Sequence, residues 1–286
     1  MQPRVIQSLE EIADRYETFF VDMYGVIWNG LHFYPSVAPL FADLKKRGKK
    51  IAMLSNATTV SPRFVEKYAK FGLVKGVNYD AFITSGDVLK AKIADGYFEK
   101  LTRTKEYRFY ILGRDNPALF EQVAAHQTHD LNAADLMYVS SLEVDKQAAL
   151  SLDKFMPDMQ TALQKGLPLV CANPDLFAFR GDLKYYRGGS VAKWYAANGG
   201  FVAYVGKPYG EIYEFALKKT DSTAACSVMV GDTLGTDILG AAHVGMDSVL
   251  ITGKGSMTYD DLKNGKTLAE CFKDAGSTPQ YLLDHV

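Results

Sequence analysis

Short apolar runs alternate with amphipathic segments along nearly the whole chain. Residues 19–21, 51–54, 82–83, 108–112, 136–139, 167–171, 202–205, 227–230 and 248–251 are compact apolar stretches that read as buried strands. Between them, 36–48, 61–72, a segment from about 87, 117–125, 145–165, 190–197, 210–219 and 235–244 carry helical periodicity. Gly48 supplies a stop for the first helix, and Ser61-Pro62 an N-cap and first-turn proline for the second. Strands alternating with helices of this length predict an α/β fold built on a parallel sheet. Tyr34, Phe71, Phe120 and Phe155 fall at helical or strand spacing and are expected in the core.

Composition narrows the class without changing that picture. The chain has 286 residues, 48% hydrophobic and 23% charged, so long disorder, collagen and coiled coil are excluded, and two domains or one large one are expected. With 32 basic and 33 acidic residues the net charge is −1, which gives no reason to expect nucleic acid. The one basic cluster, Lys45-Lys46-Arg47-Gly48-Lys49-Lys50, suits a helix end complementing its dipole. No apolar stretch is long enough for a membrane span, and the first 16 residues do not resemble a signal peptide. Three scattered cysteines read as reduced thiols of a cytoplasmic protein. His126 and His129 lack zinc-site spacing partners and are expected at a helix end on the surface.

Ligands of open parallel sheets sit beyond the carboxyl ends of the strands. There the chain places Asp22-Met23-Tyr24-Gly25, Ser55-Asn56, Gly206-Lys207-Pro208 and Gly231-Asp232-Thr233-Leu234-Gly235-Thr236-Asp237. Polar residues end strands routinely, so each alone says little. An acid, a hydroxyl with an amide, a lysine and an acid pair in this order say more.

That order resembles the haloacid dehalogenase superfamily, and the stretches Ala172-Asn173-Pro174-Asp175, 206–213 and 231–241 resemble its class IIA branch of small-metabolite phosphatases. The resemblance covers about residues 19–253. It implies a Rossmann-like core with a parallel sheet and an inserted α/β class II cap. It further implies Asp22 as a nucleophile forming an aspartyl-phosphate, Ser55 and the backbone near Asn56 as a phosphoryl cradle, and Lys207 as charge neutraliser. Mg²⁺ would be held by Asp22, the Tyr24 backbone carbonyl and Asp232, with Asp237 supporting the metal and orienting Lys207.

Two features bear on activity. The phosphatases usually carry a second aspartate two residues after the nucleophile, as general acid and base; here Tyr24 stands there. A tyrosine resembles the dehalogenase branch, whose leaving halide needs no proton. Spacing bears on the cap. Ser55 follows Asp22 by about 33 residues, but Lys207 lies about 150 further on, leaving room for an inserted domain of ~100 residues. We place it at 86–187, with the core at 1–85 and 188–286. That is the class IIA cap position, which favours phosphate chemistry. A flap is expected around Trp28-Asn29-Gly30, where Trp28 either shields the site or packs. Asn173 and Asp175 meet the substrate or form an Asx-Pro turn, and Arg180 and 185–187 read equally as a solvated loop.

The sequence thus predicts a Mg²⁺-dependent hydrolase of a small phosphorylated metabolite, without nucleic acid or membrane partners and with a homodimer possible. The alternatives are a hydrolase of an acyl phosphate or carbon–halogen bond, and a phospho-ligand binding protein without turnover.

Overall fold

The computed structural model describes residues 2–143, 150–180 and 183–286. Seven strands form one parallel sheet in the order Arg4–Val5, Tyr281–Leu283, Asp247–Ile251, Ser227–Gly231, Thr18–Val21, Lys50–Ser55, Ala81–Thr84. The central strands are buried on both faces, as their continuous apolar runs require. The helix Val37–Lys46 turns Val37, Leu40, Phe41 and Leu44 into the core and leaves Lys45 and Lys46 in its last turn. Among the described residues no helix is long and apolar enough to cross a membrane.

A second sheet, also parallel throughout, runs Val202–Tyr204, Leu169–Cys171, Leu136–Val139, Phe109–Leu112, Gln127–Thr128. Val202–Tyr204 pairs with Leu169–Cys171, and the helix Gly188–Ala197 packs in the same apolar cluster through Val191, Ala192 and Tyr195. The second sheet therefore continues past Arg187, where the sequence reading ends the insertion. The strand 202–205 was legible; which sheet it joins depends on long-range pairing that no local pattern carries.

Other elements differ from the periodicity. The helix expected over 145–165 is Met156–Gln164, preceded by a tight turn Asp153–Phe155; positions 144–149 lie outside the described residues. Pro157 sits in its first turn, where a missing N–H costs nothing, and so marks a start. The helix expected over 117–125 is one turn, Pro117–Phe120, followed by a tighter coil, Glu121–His126. That expected over 235–244 opens as a widened π-type turn, Leu234–Ile238, before the regular Leu239–His243. Ser61 is not an N-cap but the first helical residue of Ser61–Ala69, its N–H donating to Asp87 Oδ1 at 2.9 Å. Phe120 and Phe155 are core and Tyr34 is half-buried, but Phe71 is 52% exposed, because its helix ends at Ala69 and leaves it against the outer side of Trp28. All three cysteines are free. His126 stacks on Tyr107 at 4.4 Å and bonds its carbonyl, a packing role.

Short strands and helices near the termini escaped the reading. So did the hairpin of Phe177–Arg180 and Leu183–Tyr186, which leans on the first unit through an ion pair of 2.6 Å between Lys184 and Asp260.

Candidate active site

The ends of three adjacent strands and the loop after Val202–Tyr204 converge on one cavity. Asp22 continues the ladder beyond Thr18–Val21, its N–H donating to the Val230 carbonyl at 2.9 Å. Lys207, 1% exposed, reaches between two carboxylates, with Nζ 2.6 Å from Asp22 Oδ1 and 2.7 Å from Asp237 Oδ1. A third bond goes to the Leu54 carbonyl at 3.0 Å, so all three ammonium protons are used. Burial works against the charged lysine, but Asp22 and Asp237 outweigh it and hold its pKa above the ordinary value.

Asn56 fixes that lysine from the backbone. Its Oδ1 accepts from Lys207 N at 2.7 Å, while its Nδ2 donates to Lys207 O at 3.1 Å and Asp175 Oδ1 at 2.9 Å. The Asn56 side chain is thus spent as a brace. Ser55 lines the cavity and its Oγ accepts from Ala57 N at 3.3 Å. Asp237 is a second brace: Oδ2 accepts from Asp232 N at 3.2 Å and Thr233 N at 3.1 Å, which the widened turn makes possible.

Asp232 is 4% exposed and accepts from Met257 N at 2.8 Å and Thr233 Oγ1 at 2.9 Å. No cation pairs with it among the described residues. Burial, then the nearby charges of Asp22 and Asp237, push its pKa well above the carboxylate range. Burial likewise lifts Asp22, to about 7, with Lys207 pulling the other way. Gly25 matters here: with φ at +77°, a Cβ would stand 2.1 Å from Asp232 Oδ2, so only glycine lets the loop pass. Asp22, Asp232 and Asp237 can bring one oxygen each within 4.8 Å of one another. An uncompensated buried carboxylate among hard oxygen donors fits a divalent cation of the Mg²⁺ or Ca²⁺ kind.

Tyr24, Asn173 and Asp175 also line the cavity. Asn173 Oδ1 accepts from Asp175 N at 3.2 Å, so the Asx turn forms and Asp175 still faces the site, with its pKa raised by burial. Trp28 packs: it is 1% exposed among Phe33, Tyr68 and Phe71.

Sequence reasoning missed three contributors and left a fourth, Arg187, balanced against a solvated loop. Phe177 and Phe179 of the hairpin roof the cavity, Met257 anchors Asp232, and Arg187 enters the wall. Arg187 is placed by Gly189, whose Cβ would meet the Pro174 carbonyl at 2.1 Å, so the helix start seats directly on the Asn173–Asp175 turn. Its guanidinium lies 4.8 Å from the Tyr185 ring and 5.7 Å from that of Tyr24. The Gly188-Gly189 pair was the available signal. The Arg180 side chain lies outside the described residues.

Residues 19–126 match the family profile "Haloacid dehalogenase-like hydrolase" and residues 204–285 the profile "HAD-hydrolase-like". Phosphoglycolate phosphatase 2 of Arabidopsis thaliana is 24% identical over 272 residues, covering 88% of this chain and 88% of that one. Human glycerol-3-phosphate phosphatase is 24% identical over 295 residues, covering 94% and 88%. A haloacid dehalogenase-like hydrolase of known structure from Brucella suis 1330 superposes with a TM-score of 0.82 at 24% identity, covering 99% of this chain and all of that one, which shows a shared fold. The chain belongs to the haloacid dehalogenase superfamily of hydrolases, in its class IIA branch.

Proposed function

We propose that the chain is a Mg²⁺-dependent phosphatase of a small phosphorylated metabolite, acting through an aspartyl-phosphate on Asp22. The observation that carries this is the Lys207 ammonium clamped between Asp22 and Asp237, with uncompensated Asp232 beside them. The names of the relatives, phosphoglycolate and glycerol-3-phosphate phosphatase, support it. They lend nothing to the rival readings of carbon–halogen or acyl phosphate hydrolysis, or of binding without turnover.

In this reading a carboxylate oxygen of Asp22 attacks phosphorus and the bond to the leaving oxygen breaks; water then attacks the acyl phosphate and frees Asp22. Lys207 faces the charge that gathers on the phosphoryl oxygens, while the Ser55 hydroxyl donates to one of them. Asp22, Asp232 and the Tyr24 carbonyl would hold a divalent cation, with Asp237 supporting them, and the cation would add to the neutralisation of the phosphoryl group. The segment carrying the five-stranded sheet acts as the cap, its Phe177–Tyr186 hairpin excluding water.

Hydrolysis of 4-nitrophenyl phosphate tests the reading: turnover is expected with Mg²⁺ and not in a chelator. Asp232→Ala is expected to raise the Mg²⁺ concentration for half-activity at least ~10-fold, the scale for losing a charged oxygen ligand. Metal-independent turnover, or an unchanged titration, contradicts it.

Tyr24 gives a separate expectation. An alkoxide leaves badly unless protonated, whereas nitrophenolate leaves unaided, so Tyr24→Asp should raise kcat for alkyl phosphates about tenfold and for aryl phosphates far less. A loss on every ester would instead assign Tyr24 a catalytic or packing role of its own.

A further inference from the structure

The cavity around Asp22 holds about 50 Å³, room for little beyond a phosphoryl group. It does not end there. A second cavity of about 330 Å³, the low end of small-molecule pockets, shares Tyr24, Ala57, Asn173 and Arg187 with the first. Whatever is esterified to the phosphoryl group has this space to enter.

Its chemistry is distinctive. The floor is polar and buried: Thr58, Asn116 and Ser140 are 6%, 6% and 2% exposed, and Asn116 is set by a bond from Nδ2 to the Thr58 carbonyl at 2.9 Å. The rim carries Arg63, Lys67 and Arg114, with Arg187 at the junction. Two acids line the same space. Glu143 lies 3.9 Å from Arg187, and Asp115 accepts from Asn116 N at 2.9 Å. Among the described residues no carboxylate pairs with Arg63 or Arg114. Arg63 and Arg114 thus put positive charge on this wall in a chain whose net charge is −1. Guanidinium groups present paired donors that match carboxylate and phosphate oxygens.

We propose that this second cavity is an anion subsite, read by Arg63 and Arg114, for the far end of the leaving group. The substrate is then a phosphomonoester with hydroxyl groups along its chain and a second carboxylate or phosphate at its other end. The inference rests on the phosphatase reading for its substrate, and the subsite itself stands on the cavity.

Three-carbon monophosphates ending in a hydroxyl, a carboxylate or a second phosphate test it. The better charged substrate is expected to exceed the hydroxyl-ended one at least ~10-fold in kcat/KM, with carboxylate against phosphate deciding which anion is read. In Arg63→Gln/Arg114→Gln, two exposed positions whose change leaves the melting temperature in place, that ratio falls at least ~10-fold, mainly through KM. A ratio near one in the wild type, or one unmoved in the variant, overturns the subsite. Calorimetric binding of non-hydrolysable phosphonates with the same three ends separates the two claims. A preference for the charged end without turnover keeps the subsite and sinks the phosphatase reading; turnover without that preference does the reverse.

Discussion

Asp22→Asn is expected to lower turnover of every phosphate ester by at least about 10³-fold, because the amide can neither attack phosphorus nor leave as a carboxylate. The protein should remain folded. In the metal-free wild type, burial raises the Asp22 pKa from 3.8 to about 7. A carboxyl raised in the fold contributes stability that is fully present below its unfolded pKa and lost as pH rises through the folded one. Ionised Asp22 therefore burdens the metal-free fold above about pH 7, and asparagine removes that burden. Urea unfolding in a chelator should find the variant at least as stable as wild type at pH 8, with the advantage gone by pH 4. Activity within threefold of wild type would end the aspartyl-phosphate assignment.

Lys207→Met should be as damaging to activity and, unlike Asp22→Asn, to the fold. Removing the ammonium leaves Asp22 and Asp237 facing each other without their shared cation, and stripping one partner from a buried ion pair costs about 3–5 kcal/mol. The sign with pH follows from the raised Lys207 pKa. Its stabilisation is fully present below the ordinary lysine value of 10.5 and lost only in more alkaline solution, so wild type keeps it throughout the neutral range. The variant's deficit should be large at pH 8 and smaller at pH 5, where Asp22 takes up a proton and the repulsion falls. A deficit that grows on acidification would contradict this account of the clamp. Turnover should drop at least about 10³-fold, since in the proposed mechanism Lys207 neutralises both the nucleophile and the transferring group.

Much of this site was legible before any coordinates, for a physical reason. Strands buried on both faces in a parallel sheet must be continuous apolar runs, so the first polar residue after each run marks the sheet's carboxyl edge. Asp22, Ser55 and Asp232 are such residues. The fold class followed from the same pattern. What stayed hidden depends on contacts distant in sequence. The Met257 N–H reaches Asp232 across 25 positions, and the Asn56 amide reaches Lys207 across 151. The backbone near Asn56 was read as part of a phosphoryl cradle; the second task of this residue, a side chain that braces the lysine backbone and Asp175, has no local signal. Arg187 lies among aromatic and polar residues that look like loop, and only the seat of Gly189 on Pro174 turns it inward. Arg4–Val5 and Tyr281–Leu283 are too short for any periodicity to show. The overlong helix over 145–165 came from letting amphipathic spacing outweigh Pro157, which the chain uses as a start.

The central claim is covalent chemistry at Asp22, and the phosphoenzyme tests it most directly. Wild-type protein is mixed briefly with 4-nitrophenyl phosphate and Mg²⁺, quenched in acid, digested and weighed by mass spectrometry. The peptide carrying Asp22 should gain one phosphoryl mass that hydroxylamine removes, as it does for an acyl phosphate, and the Asp22→Asn variant should gain none. A wild type that turns over 4-nitrophenyl phosphate while no phosphoryl group ever appears on that peptide, or appears on another residue, would contradict the account.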